Sequence, residues 1–130
     1  MIKSFAVGIF LFDEVEVLDF AGPFEVFSLA ENSGTKEKIF KVHTISEDDA
    51  ILSARNGLKV KADFTFTNHP PLDVLIVPGG YGAEKVEIHN PAALTWIRET
   101  AARTAVVASV CTGAFLLAES GVITNETVTT

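Results

Sequence analysis

The sequence predicts an α/β domain built on a mainly parallel, doubly wound sheet with helices on both faces. Three observations predict it. Apolar runs at residues 5–12, 72–77 and 105–110 have the composition of parallel strands buried on both faces. Helical patterns alternate with these runs, as crossover connections require. Each run also ends in a distinctive turn: acidic after Phe12, Pro78-Gly79-Gly80 after Val77, and Cys111-Thr112-Gly113 after Val110. In such sheets ligands bind beyond the carboxyl ends of the strands, so the three turns mark the expected site.

Composition narrows the function classes. The 130 residues fit one domain, 1–130, and 48% apolar with 21% charged residues describes a soluble globular chain. A formal charge of −7 offers no basic patch, which argues against nucleic-acid binding through this chain and against attraction to anionic membranes. The run at 5–12 is too short to span a bilayer and lacks a signal-peptide pattern. One cysteine allows no internal disulfide and no cysteine cluster for zinc, as expected in a reducing, cytoplasmic setting.

In chain order, residues 5–12 form the first strand, and 13–16 an acidic connection in which Glu14 and Glu16 read as a solvated loop edge. A helix is predicted from about Pro23 to Glu31, with proline in its first turn and Phe24, Phe27 and residues 29–30 on an apolar side. Asn32-Ser33-Gly34 ends it, and Lys36 to Lys38 is a charged turn. Residues 39–45 alternate in part, which places that strand nearer a sheet edge. Short strands at 51–53 and 58–62 flank Asn56-Gly57, a hairpin signal. Phe64 and Phe66 anchor a loop closed by Pro70-Pro71. Residues 92–103 read as a helix with Leu94, Ile97 and Ala101 on one face. After the strand at 105–110, a short helix at 114–119 is closed by Gly121, and 122–130 is β-prone to its last residue. His43, His69 and His89 lie on an edge strand and in loops without metal-ligand spacing, so no metal is expected.

Cys111 stands where a strand turns into a helix, the position of a nucleophile elbow. A helix N-terminus favours negative charge there and so favours a thiolate. The other reading is a buried, inert thiol, the commonest state of a free cysteine. Convergence of three turns on one end of the sheet favours the reactive reading.

Leu18-Asp19-Phe20-Ala21-Gly22-Pro23, Val77-Pro78-Gly79-Gly80 and Ala108-Ser109-Val110-Cys111-Thr112-Gly113-Ala114 together resemble the DJ-1/PfpI (ThiJ) superfamily. The Leu-Asp-x-x-Gly-Pro and Cys-Thr-Gly pair is most similar to its isonitrile (isocyanide) hydratase branch, and also occurs in the sensor domains of AraC-type regulators. The resemblance implies a flavodoxin-like fold with Cys111 as nucleophile and Asp19 as the acid that shuttles its proton. It implies that Gly80 and Thr112 offer backbone N–H groups to a developing anion, with Gly79 in the same turn, and that the Thr112 hydroxyl bonds substrate or intermediate. Each residue has a plainer use: Asp19 as a helix cap, Gly79 and Gly80 as a chain reversal, Thr112 as an opening helix residue. Protease-like and amidotransferase-like members carry a histidine after the cysteine; threonine at 112 argues against peptidase activity.

By that resemblance the expected function is a lyase, without cofactor, that adds water to a small electrophile such as an isonitrile. A non-catalytic ligand sensor and a glyoxalase-like or redox stress protein are the alternatives. The resemblance implies a homodimer. It also implies that the domain lacks a C-terminal strand and helix, since members continue past the elbow helix. A strand starting near Val128 is expected to pair beside residues 105–110, with another segment packed against residues 115–122.

Overall fold

Among the described residues, 3–130, the computed structural model contains seven strands and four α-helices. In chain order they are β1 (Phe5–Phe10), α1 (Val17–Leu29), β2 (Phe40–Ser46), β3 (Leu52–Ser53), β4 (Lys59–Val60), β5 (Phe64–Thr65), β6 (Val74–Val77), α2 (Tyr81–Lys85), α3 (Pro91–Ala102), β7 (Val106–Ser109) and α4 (Gly113–Glu119). Five strands make one parallel sheet in the order β5-β2-β1-β6-β7, while β3 and β4 form a separate antiparallel hairpin. The winding reverses at β1, so the cleft between the ends of β1 and β6 is the switch point. This is the flavodoxin-like, doubly wound order. No helix of the described residues is long and apolar enough to cross a membrane.

The centre of the sheet forms because β1 is apolar on both faces: Val7, Ile9 and Phe10 are wholly buried. Gly8 lets the layer above close, since a Cβ there would lie 2.5 Å from Leu72 Cδ1 and 2.9 Å from Ile45 Cδ1. Phe10 also meets Trp96 of α3 at 5.4 Å between ring centroids, and Trp96 stacks on Phe66 at 4.4 Å. The indole Nε1 donates to His69 Nε2 (3.1 Å), so His69 Nδ1 is the donor to the Pro70 carbonyl (2.8 Å). His69 thus ties the loop before β6 to α3, a structural role.

Several boundaries differ from the sequence reading. α1 starts at Val17, and Pro23 lies inside the helix instead of its first turn. Val15, wholly buried, anchors the entry, and the helix absorbs the backbone donor that Pro23 lacks. α1 ends at Leu29, and Asn32 organises the following turn by accepting from the N–H groups of Gly34 and Thr35. Strand β2 lies between β1 and β5, but β5 covers only Ile45 and Ser46, leaving its first residues at the edge. Phe64 belongs to β5 instead of a loop. The buried face of α3 is Ala93, Trp96, Ile97 and Thr100, rotated from the face expected around Leu94 and Ala101. The hairpin around Asn56-Gly57 is present, with both residues at positive φ. The helix α2 directly after Gly80 was not anticipated.

The largest difference is at β7. Its sequence reads as an interior strand, yet it is the edge, and Val106 is 53% exposed. On the α1 side of the sheet α1 packs over β1 and β2, which leaves a groove of about 590 Å³ whose walls include Phe27, Phe40, Val74, Ile76, Val106 and Val110. Residues 122–130 contain no strand, so none pairs with β7 from Val128.

One acid is buried away from these features. Glu87, 7% exposed, sits in a 3₁₀ turn (Glu87–His89) beside a cavity shared with Asp13, Glu47 and Asp48. Asn90 Nδ2 donates to both Glu47 Oε1 (2.7 Å) and Glu87 Oε1 (3.2 Å). Burial pushes the Glu87 carboxyl above its ordinary 4.5; the Asn90 bond opposes this, and the charges of Glu47 and Asp13 add to it. An acid raised in the folded state contributes its stability in full below the unfolded value, and loses it as pH climbs through the folded one. Glu87→Gln, which keeps the acceptor for Asn90, should therefore be more stable than the wild type at pH 7. Below pH 4.5 the gain should vanish. Urea unfolding at the two pH values checks this; equal stabilities at pH 7 would refute it.

Candidate active site

Cys111 lies between the end of β7 and the start of α4, with φ at 52° in the left-handed region. That conformation costs a non-glycine residue about 1–3 kcal/mol and persists only where its surroundings over-determine it. Here they do. Val110 N donates to the Val77 carbonyl (3.0 Å), and Gly113 N donates to the Val110 carbonyl (3.0 Å). A Cβ on Gly113 would collide with the Val77 carbonyl oxygen, so glycine is what allows the elbow to press against the exit of β6. The thiol is exposed.

The β6 exit is built to meet it. A Cβ on Gly79 would lie 2.5 Å from both N and Oγ1 of Thr112. Gly80, at φ 120°, then donates its N–H to Thr112 Oγ1 (2.9 Å). Gly79 donates its N–H to Asp19 Oδ2 (3.3 Å), and its carbonyl accepts from Glu16 N (3.0 Å). The sequence-predicted residues Asp19, Gly79, Gly80 and Thr112 are thus joined by hydrogen bonds, with Cys111 adjacent to Thr112 in the chain.

The geometry alters two expected details. Asp19 is the third residue of α1, and its carboxylate receives the Gly79 N–H; no side chain caps that helix. Among the described residues this N–H is the hydrogen-bond partner of the Asp19 carboxylate, and Cys111 Sγ makes no hydrogen bond. The Gly80 N–H, expected to face an anion, is engaged by Thr112 instead. The Thr112 hydroxyl accepts that bond, so its own proton remains available for donation outward. The backbone N–H groups of Cys111 and Thr112 make no hydrogen bond to a described residue.

Three further residues border this arrangement: Glu14, which the sequence reads as a solvated loop edge, and Arg55 and Tyr81, to which it assigns no role in the site. Glu14 sits at φ 63° in the loop from β1 to α1, bonded through its carboxylate to Arg55 (2.7 Å). Arg55 lies over the ring of Tyr81, 4.9 Å from its centroid, and Tyr81 follows Gly80 directly. The Asn-Gly signal locates the hairpin that carries Arg55, but nothing local names its partner 41 residues away. Among the described residues no group of three or more His, Cys, Asp or Glu is placed to hold a metal.

Known proteins share this arrangement of chain. The model of the DJ-1/PfpI family matches residues 6–130. An isonitrile hydratase from Pseudomonas putida is 33% identical over 124 residues, 95% of this chain and 51% of that protein. The HTH-type transcriptional regulator GbdR of Pseudomonas aeruginosa is 27% identical over 118 residues, 91% of this chain and 31% of that protein. Among solved structures, a ThiJ/PfpI family protein from Pseudomonas syringae superposes with a TM-score of 0.81 at 22% identity, over 94% of this chain and 48% of that one. Drosophila melanogaster DJ-1beta gives 0.73 at 17% identity, over 92% and 61%. The chain spans about half the length of the isonitrile hydratase and of the P. syringae protein it matches. With its elbow cysteine, its glycine turn and a family match from residue 6 to residue 130, the chain belongs to the DJ-1/PfpI family.

Proposed function

We propose that this chain carries the nucleophile of an enzyme that hydrates a small, neutral electrophile, with an isonitrile as the substrate class. The observation that carries the reading is the exposed Cys111 held at φ 52°, beside a threonine hydroxyl fixed by Gly80. The 33% identity to an isonitrile hydratase supports the choice of electrophile.

In this reading the sulfur of Cys111 bonds to the isonitrile carbon as its S–H proton passes to Asp19, and Asp19 gives that proton to the same carbon, producing a thioimidate, R–N=CH–S. Water then adds to the same carbon, one of its protons passing through Asp19 to the nitrogen near the Thr112 hydroxyl, and the new hydroxyl gives its proton through Asp19 to the departing sulfur. The carbon–sulfur bond breaks, the thiol is regenerated, and an N-substituted formamide leaves. The net change is addition of one water. No cofactor is required by this sequence of steps.

A second reading has its own support. The similarity to GbdR, a transcriptional regulator, favours a ligand-sensing domain without turnover. Assay of purified protein with an isonitrile and with methylglyoxal separates the two. Wild type should convert the isonitrile. Cys111→Ala should abolish turnover, and Asp19→Asn should lower kcat by about 10²–10⁴-fold with the fold intact. A wild type that binds the electrophile and releases it unchanged would favour the sensor, and turnover of methylglyoxal alone would favour glyoxalase-like chemistry.

We also infer that the working protein carries a further strand beside β7 and a helix over the Phe27–Val106 groove, and that it acts as a homodimer. What supports this is an edge strand apolar on both faces, the composition of an interior strand, and relatives of about twice this length. Uncovered apolar surface of this kind invites aggregation. Intact mass and light scattering of the protein from its native source should give a polypeptide, or a tight pair of polypeptides, heavier than 14.0 kDa. A stable monomer of 14.0 kDa that binds no hydrophobic dye would overturn it.

A further inference from the structure

The loop between β1 and α1, residues 11–16, places Asp19, yet three of its six residues are acidic and one adopts the left-handed conformation. What holds it is distributed over three neighbours. Glu14 N donates to the Ser53 carbonyl (2.8 Å), and Ser53 N donates to Asp13 Oδ1 (2.9 Å). Arg55 N donates to the Val15 carbonyl (2.9 Å) while its Nη1 donates to Glu14 Oε2 (2.7 Å). On the opposite side, Gly82 N donates to the Glu14 carbonyl (3.1 Å) and Glu16 N to the Gly79 carbonyl (3.0 Å). Glu14 therefore faces the hairpin with its side chain and N–H, and faces the start of α2 with its carbonyl.

One side chain closes this loop from both directions. The Arg55 guanidinium is bonded to Glu14 and seated on Tyr81, the residue after Gly80. The β3–β4 hairpin lies outside the main sheet and meets the β1–α1 loop through Ser53 and Arg55. A planar fork that bonds a carboxylate while stacking on a ring is a task arginine performs and lysine does not.

We propose that Arg55 is a positioning residue of the Cys111 site. By clamping Glu14 against Tyr81 it holds the β1–α1 loop on the Gly79–Gly80 turn and so sets the Asp19–Gly79 contact. The proposal rests on the reading of Cys111 and Asp19 as catalytic, and assigns them a support that reaches them through the backbone. Arg55 does not touch the reacting atoms. Small displacements of a catalytic group lower turnover more than affinity, so its loss acts on kcat.

The test compares Arg55→Ala, Arg55→Lys and Glu14→Ala in the full protein by amide hydrogen exchange and by kinetics with an isonitrile. Arg55→Ala should speed exchange at Glu16, Gly79 and Gly82 by about tenfold or more while Ile9 and Ile76 in the sheet keep wild-type protection. It should lower kcat by about ten- to a hundredfold with KM within about twofold. Arg55→Lys should lie closer to alanine than to wild type, and the Arg55→Ala/Glu14→Ala double variant should be no worse than either single one. Uniform acceleration of all amides, or wild-type exchange at Glu16 and Gly79, would overturn the proposal. If Arg55→Ala does not fold, Arg55→Lys and Glu14→Ala carry the same comparison. If the wild type turns over no electrophile, the catalytic reading fails while exchange still decides the clamp.

Discussion

The site depends on one steric constraint, the closeness of the β6 exit to the β7 elbow. Two chain segments approach until the Gly79 Cα faces Thr112 N and Oγ1, and Gly113 faces the Val77 carbonyl. Any side chain at either position would push the elbow away from the turn. Their closeness is what allows Gly80 N to reach the Thr112 hydroxyl and Gly79 N to remain turned toward Asp19. The β1–α1 loop joins the same contact through Glu16 N and the Gly79 carbonyl. Three strand exits are thereby fastened at a single point.

That fastening explains how two strained residues survive. Cys111 and Glu14, at φ 52° and 63°, each cost about 1–3 kcal/mol relative to relaxed backbone. Below them Val77 and Leu116 are wholly buried, and each buried aliphatic side chain contributes about 1.5–3 kcal/mol. The strain is thus comparable to the burial of one or two neighbours and is sustained by a rigid floor. The opposite holds at the outer edge of β7, where few side chains pack and Val106 and Phe115 remain about half exposed.

Much of this was legible in the sequence because it is written in local composition. The apolar runs mark β1, β6 and β7, and the glycines mark the two turns that must touch. What was not legible required knowledge of the neighbour. Pro23 looks like a first-turn residue, yet α1 begins at Val17 because buried Val15 fixes the chain before it. Val106–Val110 reads as interior, but burial on both faces depends on what lies outside β7. The face of α3 turns toward Trp96 because Phe10, Phe66 and His69 wait there, from three separate segments. The same applies to the Gly80 N–H: a glycine turn announces a free donor, and only the approach of Thr112 shows it to be engaged.

That engagement bears on the chemistry. Acyl transfer through a tetrahedral oxyanion is served by backbone N–H groups held open for the oxygen. In this turn both glycine donors already have acceptors, Asp19 and the Thr112 hydroxyl, which leaves the elbow's own N–H groups and the threonine proton. Addition of a thiol to an isonitrile develops charge on carbon, and a proton neutralises it at once. Such a step calls for a proton donor and a neutral hydroxyl more than for an anion cradle. In the proposed reading, the elbow N–H groups of Cys111 and Thr112, which bond no described residue, and the Thr112 proton are the donors left for the charge that develops.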